Sequence, residues 1–202
     1  MHSRMKYAKV NIKVLIVLIF LCVAIIVSLF AARQIRRKIL TKLYLEAGNK
    51  AYDSEDWSAA YENYREYLGR NPNDLEILKK YAEARFSMRP LDNDIITGAV
   101  SAYRRILQLN KLDENAYDKL AIIYQNIENF EELDYISQKK LENIPADKKA
   151  KLWLADAQIN LNKTDDAQRT LLNLIEDIES ASDFCPEYIQ ACLFISNILT
   201  KK

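Results

Sequence analysis

Residue types that commonly carry catalysis or bind metals are scarce in this 202-residue sequence. Its one histidine is His2, so residues 41–202 lack the commonest general base and the commonest metal ligand. Three glycines cannot form a Gly-rich phosphate loop. The acid pairs Glu131–Glu132 and Asp165–Asp166 fall at the starts of predicted helices, where negative charge favours the helix dipole. The sequence therefore predicts no catalytic residues, no metal site and no cofactor.

The charges divide the chain into two parts. Residues 1–40 contain eight Lys or Arg and no acid, whereas the other 162 residues hold 21 basic and 28 acidic residues, a net charge of −7. An acidic body without a basic stripe argues against nucleic-acid binding. A basic N-terminal tract joined to an acidic body requires a separate explanation.

An apolar segment between two basic clusters supplies that explanation. Val14–Ala32 comprises 19 uncharged residues, of which 14 are Val, Leu, Ile or Phe. As a helix it would be about 28 Å long, close to the thickness of a bilayer's hydrocarbon core. We therefore predict a single transmembrane helix over 14–32, between a basic tail at 1–13 and a basic juxtamembrane segment at 33–40. A cleaved signal peptide fits less well, because Leu29 or Phe30 would lie three residues before the cleavage point.

The basic residues beside the span bear on lipid contact and on orientation. Those that follow it are expected to meet the lipid headgroups: Arg33, Arg36, Arg37 and Lys38. Four basic residues also precede the span, so the two flanks nearly cancel. A short N-terminal tail most simply stays in the cytoplasm. We expect a single-pass protein of a bacterial inner membrane with its body on the non-cytoplasmic side.

The connection between the span and the body is predicted to be helical. Residues 14–47 contain neither proline nor glycine, so nothing in them forces a break. Three apolar residues at four-residue spacing continue one stripe beyond the span: Ile35, Ile39 and Leu43. The alternative is an irregular linker over 33–40, with Thr41 as a new N-cap.

The body contains an internal repeat. Residues 60–71 and 99–110 agree at five positions with an offset of 39, and Pro72 and Pro145 lie 73 residues apart, which leaves 34 for a second unit. A 34-residue unit with small, aromatic and proline residues at these places resembles the tetratricopeptide repeat (TPR). The resemblance covers residues 41–181. It implies an all-α, right-handed solenoid of helix–turn–helix repeats, here preceded by the predicted transmembrane helix.

Four successive units resemble the TPR pattern: 41–74, 75–113, 114–147 and 148–181. In the first unit the pattern residues are Tyr44, Gly48, Ala60, Tyr64 and Pro72. The second unit is five residues longer than 34, and the extra residues are expected within 87–98. The third departs from the pattern at Leu133, and the fourth has Lys151 at an aromatic position. In 182–202 a further predicted helix is either a capping helix or the first helix of another repeat.

The resemblance also implies a binding surface, because the first helices of TPR units line a concave groove. Groove residues able to bind an extended peptide or stack on its side chains are Asn49, Tyr52, Lys80, Phe86, Lys119, Ile122, Asn126 and Trp153. Chaperone-binding members clamp a terminal carboxylate with five residues, of which only Asn49 is matched here. The clamp is therefore not supported.

Together these features predict a membrane-anchored TPR scaffold that binds another protein or a peptide segment through its groove, and membrane lipid through its N-terminal helix. The alternative is a structural assembly or translocation-accessory subunit that packs on a membrane partner without capturing peptides. An enzyme is not expected.

Overall fold

The computed structural model describes residues 12–181 and 185–200, and every regular element in those ranges is an α-helix. The helices are α1 (Ile12–Asp53), α2 (Trp57–Leu68), α3 (Leu75–Ser87), α4 (Asn93–Leu109), α5 (Glu114–Asn126), α6 (Phe130–Asn143), α7 (Lys148–Asn160), α8 (Thr164–Ala181) and α9 (Pro186–Thr200). The predicted all-α class is confirmed. Most of the predicted basic tail at 1–13 lies outside the described residues.

Each helix packs against the next one along the chain, from α1 on α2 to α8 on α9, and α7 also touches α9. Contacts between helices that are close along the chain define a solenoid, in which stacking builds the core. Three helices begin at the residues where the sequence pattern begins a new unit: α3 at Leu75, α5 at Glu114 and α7 at Lys148.

Side-chain caps fix the starts of α2 to α7. In each, a carboxylate or amide oxygen accepts a hydrogen bond from the backbone N–H three residues later, and the caps are Asp56, Asp74, Asp92, Asp113, Asn129 and Asp147. These bonds satisfy N–H groups that have no partner inside the helix. The loops before α2, α6 and α8 are three residues long, and their middle residue has a left-handed backbone: Glu55, Glu128 and Asn162.

The second helix pair carries the predicted extra residues. The loop from α3 to α4 has five residues, 88–92, where the other loops within pairs have three. In addition, α4 starts six residues before Ala99, whereas α2 starts three residues before Ala60. Two extra residues therefore lengthen the loop and three lengthen the start of α4. Both insertions lie within the predicted range 87–98.

Small residues allow the helices of a pair to approach closely. Ala60, Ala82 and Ala99 are fully buried. Gly48 is also buried, and a Cβ atom at this position would lie 2.7 Å from the Tyr64 ring on α2. Since real Cβ contacts are longer than this, the crossing of α1 and α2 requires glycine. The burial of Ala60 supports the predicted register.

Helix α1 is continuous over 42 residues. The predicted unbroken connection is confirmed, and the alternative of an irregular linker at 33–40 is wrong. The last turns of α1 pack on α2, whereas residues 16–39 are exposed along their whole length. Of the described helices, α1 is the one long and apolar enough to cross a membrane. At about 1.5 Å per residue it extends roughly 63 Å.

Candidate partner-binding groove

The predicted groove residues lie on the first helix of each pair and are all at least partly exposed. Asn49 and Tyr52 lie on α1, Lys80 and Phe86 on α3, Lys119, Ile122 and Asn126 on α5, and Trp153 on α7. These side chains do not form one continuous site. The structure gathers them into three groups along the solenoid.

The first group joins α1 to α3 through a shared amide oxygen. Lys80 Nζ lies 3.4 Å from Asn49 Oδ1, and the same oxygen accepts a hydrogen bond of 2.9 Å from the Tyr64 hydroxyl. Lys80 Nζ also lies 5.9 Å from the centre of the Tyr52 ring and 3.4 Å from Glu76 Oε1. The ammonium group is therefore held by an amide, a carboxylate and an aromatic face.

Polar contacts between first helices recur at a spacing of 31 residues. They join Asn49 to Lys80, Tyr52 to Glu83, and Gln125 to Asp156. The Tyr52 hydroxyl donates to Glu83, and the Gln125 amide donates to Asp156 over 2.8 Å. The two latter pairs join equivalent positions of the repeat pattern. We call these three contacts the 31-residue ladder.

The 31-residue ladder determines which hydrogen-bond donors and acceptors of the groove are already paired. Burial raises the pKa of Tyr52, and the hydrogen bond to Glu83 raises it further. The Tyr52 hydroxyl therefore remains a protonated donor at neutral pH. Because the donors and acceptors of the ladder are paired with one another, a bound peptide has to replace these bonds or to bind beside them.

The second group lies between α3 and α5. Lys119 Nζ lies 5.9 Å from the centre of the Phe86 ring. Ile122 and Asn126 follow on α5 at four-residue spacing and are exposed. This part of the groove offers one cation over an aromatic ring and an exposed aliphatic side chain.

The third group surrounds a hollow of about 430 Å³ at the junction of α5, α7 and α9. Trp153 forms one wall, Leu193 and Phe194 form another, and Gln125 and Asp156 line the side towards α5. Leu193 and Phe194 were not among the predicted groove residues, because α9 was not assigned to the groove. The sequence did contain a signal for this contribution, because α9 has apolar residues outside its main apolar stripe.

A buried cation lies beside Trp153. The side chain of Lys140 on α6 is 1% exposed, and its Nζ lies 2.7 Å from Asp118 and 2.6 Å from Asp147. The same atom lies 5.0 Å from the centre of the Trp153 ring. Burial lowers the pKa of Lys140, but the hydrogen bonds to both aspartates outweigh it, and the net shift is upward. Lys140 therefore remains positively charged, and it lies beside the Trp153 side chain of the third group.

A second cavity, of about 860 Å³, opens between α4 and α6, outside the predicted groove. Tyr117, Tyr124 and Tyr135 contribute to its lining. Its charged groups include two ion pairs of 2.6 Å, Arg104–Glu132 and Lys139–Glu142. Sequence reasoning did not indicate this cavity.

The residues expected at the lipid headgroups lie on α1, just beyond its apolar stretch, and are exposed: Arg33, Arg36, Arg37 and Lys38. The three cysteines, Cys22, Cys185 and Cys192, are free thiols. Within residues 12–181 and 185–200, no three His, Cys, Asp or Glu side chains are arranged to hold a metal ion.

Comparison with solved structures identifies the fold. The chain is similar to a TPR protein from Parabacteroides merdae, with a TM-score of 0.63 and 13% identity over 80% of this chain and 61% of that one. It is also similar to a crystal structure of MamA, with a TM-score of 0.56 and 19% identity over 71% of this chain and 81% of that one. MamA from Desulfovibrio magneticus RS-1 gives a TM-score of 0.53 and 14% identity, over 80% and 94% of the two chains.

At these identities the likeness is one of fold. No protein-family model and no curated protein sequence matches the chain. The structure and the solved structures that resemble it agree on a TPR-like α-solenoid. In this chain the solenoid follows a long apolar N-terminal helix.

Proposed function

We propose that this protein is a membrane-anchored scaffold that binds a segment of another protein along the first helices of its solenoid. The observation that carries the proposal is helix α1. It joins an apolar stretch that has no packing partner in the described residues to the first helix of a TPR-like array. The proposal includes four repeats, 41–74, 75–113, 114–147 and 148–181, with 182–202 capping the array or starting a further repeat.

Exposed apolar surface supports the anchor. Phe20 is 73% exposed, and all described side chains from 16 to 32 are exposed. A soluble protein rarely leaves such a large apolar surface in water, whereas a bilayer would cover it. Arg33, Arg36, Arg37 and Lys38 would then stand at headgroup level, each contributing about 1 kcal/mol if the lipids are anionic. The proposed orientation is the one expected from the sequence, with a cytoplasmic tail and a non-cytoplasmic body.

Membrane attachment predicts that the full chain stays in the pellet when membranes are washed with alkaline carbonate. A matched variant carries Ile19→Arg, Val23→Arg and Ile26→Arg. Each arginine is expected to cost about 2.5–3.5 kcal/mol near the centre of a bilayer, so this variant should be recovered in the supernatant. Release of the wild-type chain by carbonate would contradict the anchor.

Groove binding is tested by altering the first and third groups together. The double variant Lys80→Glu, Trp153→Ala removes the cation of the 31-residue ladder. It also removes the aromatic side chain that walls the hollow at the junction of α5, α7 and α9. Since a few central aromatic and charged residues dominate most interfaces, we expect a loss of partner binding of about tenfold or more. Crosslinking in membranes, co-purification and mass spectrometry measure it. The control Lys111→Glu, Tyr135→Ala makes the same charge reversal and a comparable aromatic truncation at the cavity between α4 and α6.

The 31-residue ladder also favours a second candidate function, a structural or translocation-accessory subunit that packs on a membrane partner. Groove groups that are already paired offer few free bonds to a peptide. In that case the groove variant should retain the crosslinked partners of the wild-type chain. Loss of those partners in the groove variant, with retention in the control, supports peptide capture.

A further inference from the structure

The cavity of about 860 Å³ between α4 and α6 has no part in the proposed groove. Its inner lining is apolar and aromatic. Tyr117 and Tyr124 reach it from α5 and are buried, and Leu107 and Ile136 line it from α4 and α6. The Tyr117 hydroxyl is fixed by the Asn143 amide, which donates a hydrogen bond of 3.1 Å. The aromatic walls of the cavity are therefore held in place before anything binds.

Four of the six charged side chains around the cavity neutralise each other, in the ion pairs Arg104–Glu132 and Lys139–Glu142. The other two are Lys111, just after α4, and Glu131, in the first turn of α6. Both are exposed, and within residues 12–181 and 185–200 neither has an ion-pair partner at 4.0 Å or less. They are the charges that the cavity can offer to a bound molecule.

Lys111 and Glu131 lie at opposite ends of the cavity. The Arg104–Glu132 ion pair joins α4 to α6, so Glu131 lies at the Arg104 end. Lys111 follows Arg104 by seven residues, which is about 10 Å along a helix. The cavity therefore presents an anion and a cation about 10 Å apart, with buried apolar side chains between them.

The surroundings of Lys111 favour a macromolecule over a small ligand. Leu109 and Leu112 flank it in the chain and are 42% and 63% exposed, and Tyr135 at the cavity is 55% exposed. Exposed apolar residues rimmed by polar groups are typical of sites that contact another protein. A small molecule confined to the cavity would leave the two leucines in water.

We propose that this cavity is a second binding site, which takes an extended segment of a partner protein. The segment places a carboxylate beside Lys111, a cation beside Glu131, and a bulky apolar side chain against Tyr117 and Tyr124. An extended chain advances about 3.3 Å per residue, so the two charged residues of the segment are about three positions apart. Because the segment carries both charges, the net charge of −7 on residues 41–202 does not oppose its approach. The site requires neither the groove nor the membrane anchor.

Selection of a random peptide library on the full chain in mild detergent tests the site. The cavity variant is Lys111→Glu, Tyr135→Ala, which changes two exposed side chains, and the groove variant Lys80→Glu, Trp153→Ala is its control. We expect a class of peptides that binds the wild type and the groove variant but is lost on the cavity variant. Its members should share an acidic and a basic residue about three positions apart, with a bulky apolar residue between them. The two variants are reciprocal controls, since peptides held in the groove should bind the cavity variant normally.

Charge exchange tests the contact with Lys111. For one selected peptide, fluorescence anisotropy should give a dissociation constant about tenfold higher or more for Lys111→Glu than for the wild type, because two carboxylates then meet. Replacing the acidic residue of the peptide by lysine should restore binding to Lys111→Glu. A change of fold would not be reversed by a change in the peptide. The control Lys50→Glu, at another exposed lysine, should bind like the wild type.

The proposal is overturned if no selected peptide is lost on the cavity variant. It is also overturned if the peptides that depend on the cavity lack the charge pair, because the cavity would then be a site for apolar ligands alone. Equal binding by the wild type and Lys111→Glu, or no recovery on charge exchange, has the same consequence. Failure of groove binding has a different signature, which is the absence of peptides that are lost only on Lys80→Glu, Trp153→Ala.

Discussion

Lys140→Met is expected to lower the free energy of unfolding by about 3–5 kcal/mol, because it breaks a buried ion pair and leaves its partners charged. Methionine replaces most of the volume of the lysine side chain but not its charge. Asp118 and Asp147, whose side chains are 27% and 11% exposed in the structure, would lose the ammonium group that both contact. Asp118 would keep only the exposed Lys149, at 3.8 Å. The loss of stability should affect the packing of α5, α6 and α7, which these three residues connect.

Urea unfolding of the full chain in mild detergent, followed by tryptophan fluorescence, measures this effect. Trp153 is a local reporter, since its ring centre lies 5.0 Å from Lys140 Nζ. The matched control is Lys139→Met, because Lys139 is a partly exposed neighbour whose ion pair with Glu142 lies at the surface. Such pairs contribute little, so the control midpoint should stay close to wild type. A Lys140→Met midpoint equal to that of the control would contradict the buried-charge argument.

A second substitution separates lost charge pairing from lost packing. Asp118→Asn in the Lys140→Met background removes a carboxylate whose remaining cation is the exposed Lys149, 3.8 Å away, so part of the lost stability should return. Asp147 is kept, because it also caps α7 through the N–H of Ala150 at 2.7 Å. If packing alone were responsible, Asp118→Asn would not restore stability.

The contribution of Lys140 should persist to alkaline pH. Its pKa is raised above the ordinary value of 10.5 in the folded chain. A raised pKa gives a stabilisation that is complete below the unfolded value and lost as the pH rises through the folded value. The difference between the wild type and Lys140→Met should therefore not change between pH 7 and pH 9 on account of the lysine.

The architecture could be predicted because local patterns determine it. Ala60, Ala82 and Ala99 lie where helices cross, and sterics there admit only small side chains. An oxygen-bearing cap before each of α2 to α7 is likewise a local signal. The continuity of α1 followed from the absence of proline and glycine in 14–47.

Buried charges could not be predicted in this way. Lys140 follows another lysine in the sequence and has the appearance of a surface residue. Its burial depends on Asp118, which is 22 residues upstream on another helix. Arg85 is similar: it is buried because Asp94, in the extra turn of α4, accepts its hydrogen bond, and because Gly98 leaves room for the guanidinium. A pattern within one helix contains no information on such partners.

The candidate groove was predicted by residue type but not by arrangement. The repeat pattern indicates which positions of a first helix face the groove. It does not show that Tyr52 donates to Glu83 or Gln125 to Asp156, because those pairs depend on how successive repeats stack. For the same reason the contribution of Leu193 and Phe194 to the third group was missed. Stacking geometry is a property of the assembled solenoid.

Tyr64→Ala is the second substitution with a large expected effect, a loss of about 3–5 kcal/mol of unfolding free energy. Tyr64 is fully buried, its ring lies against Gly48, and its hydroxyl donates to Asn49 over 2.9 Å. Alanine would leave a cavity at the crossing of α1 and α2, which the two helix backbones cannot close. Urea unfolding followed by tryptophan fluorescence checks it, with Trp57 nearby as the reporter.

Tyr64→Phe separates the ring from the hydroxyl. It should cost only about 1 kcal/mol, because the ring still fills the crossing and one neutral hydrogen bond is lost. Burial raises the pKa of Tyr64 to about 12, so the hydroxyl is a protonated donor throughout the neutral range. Asn49 would then keep Lys80 as its partner in the ladder. Equal losses for Ala and Phe would mean that the hydrogen bond, and not ring packing, holds the first repeat together. A much larger loss for Ala identifies the Gly48–Tyr64 contact as the element that joins the long α1 helix to the solenoid.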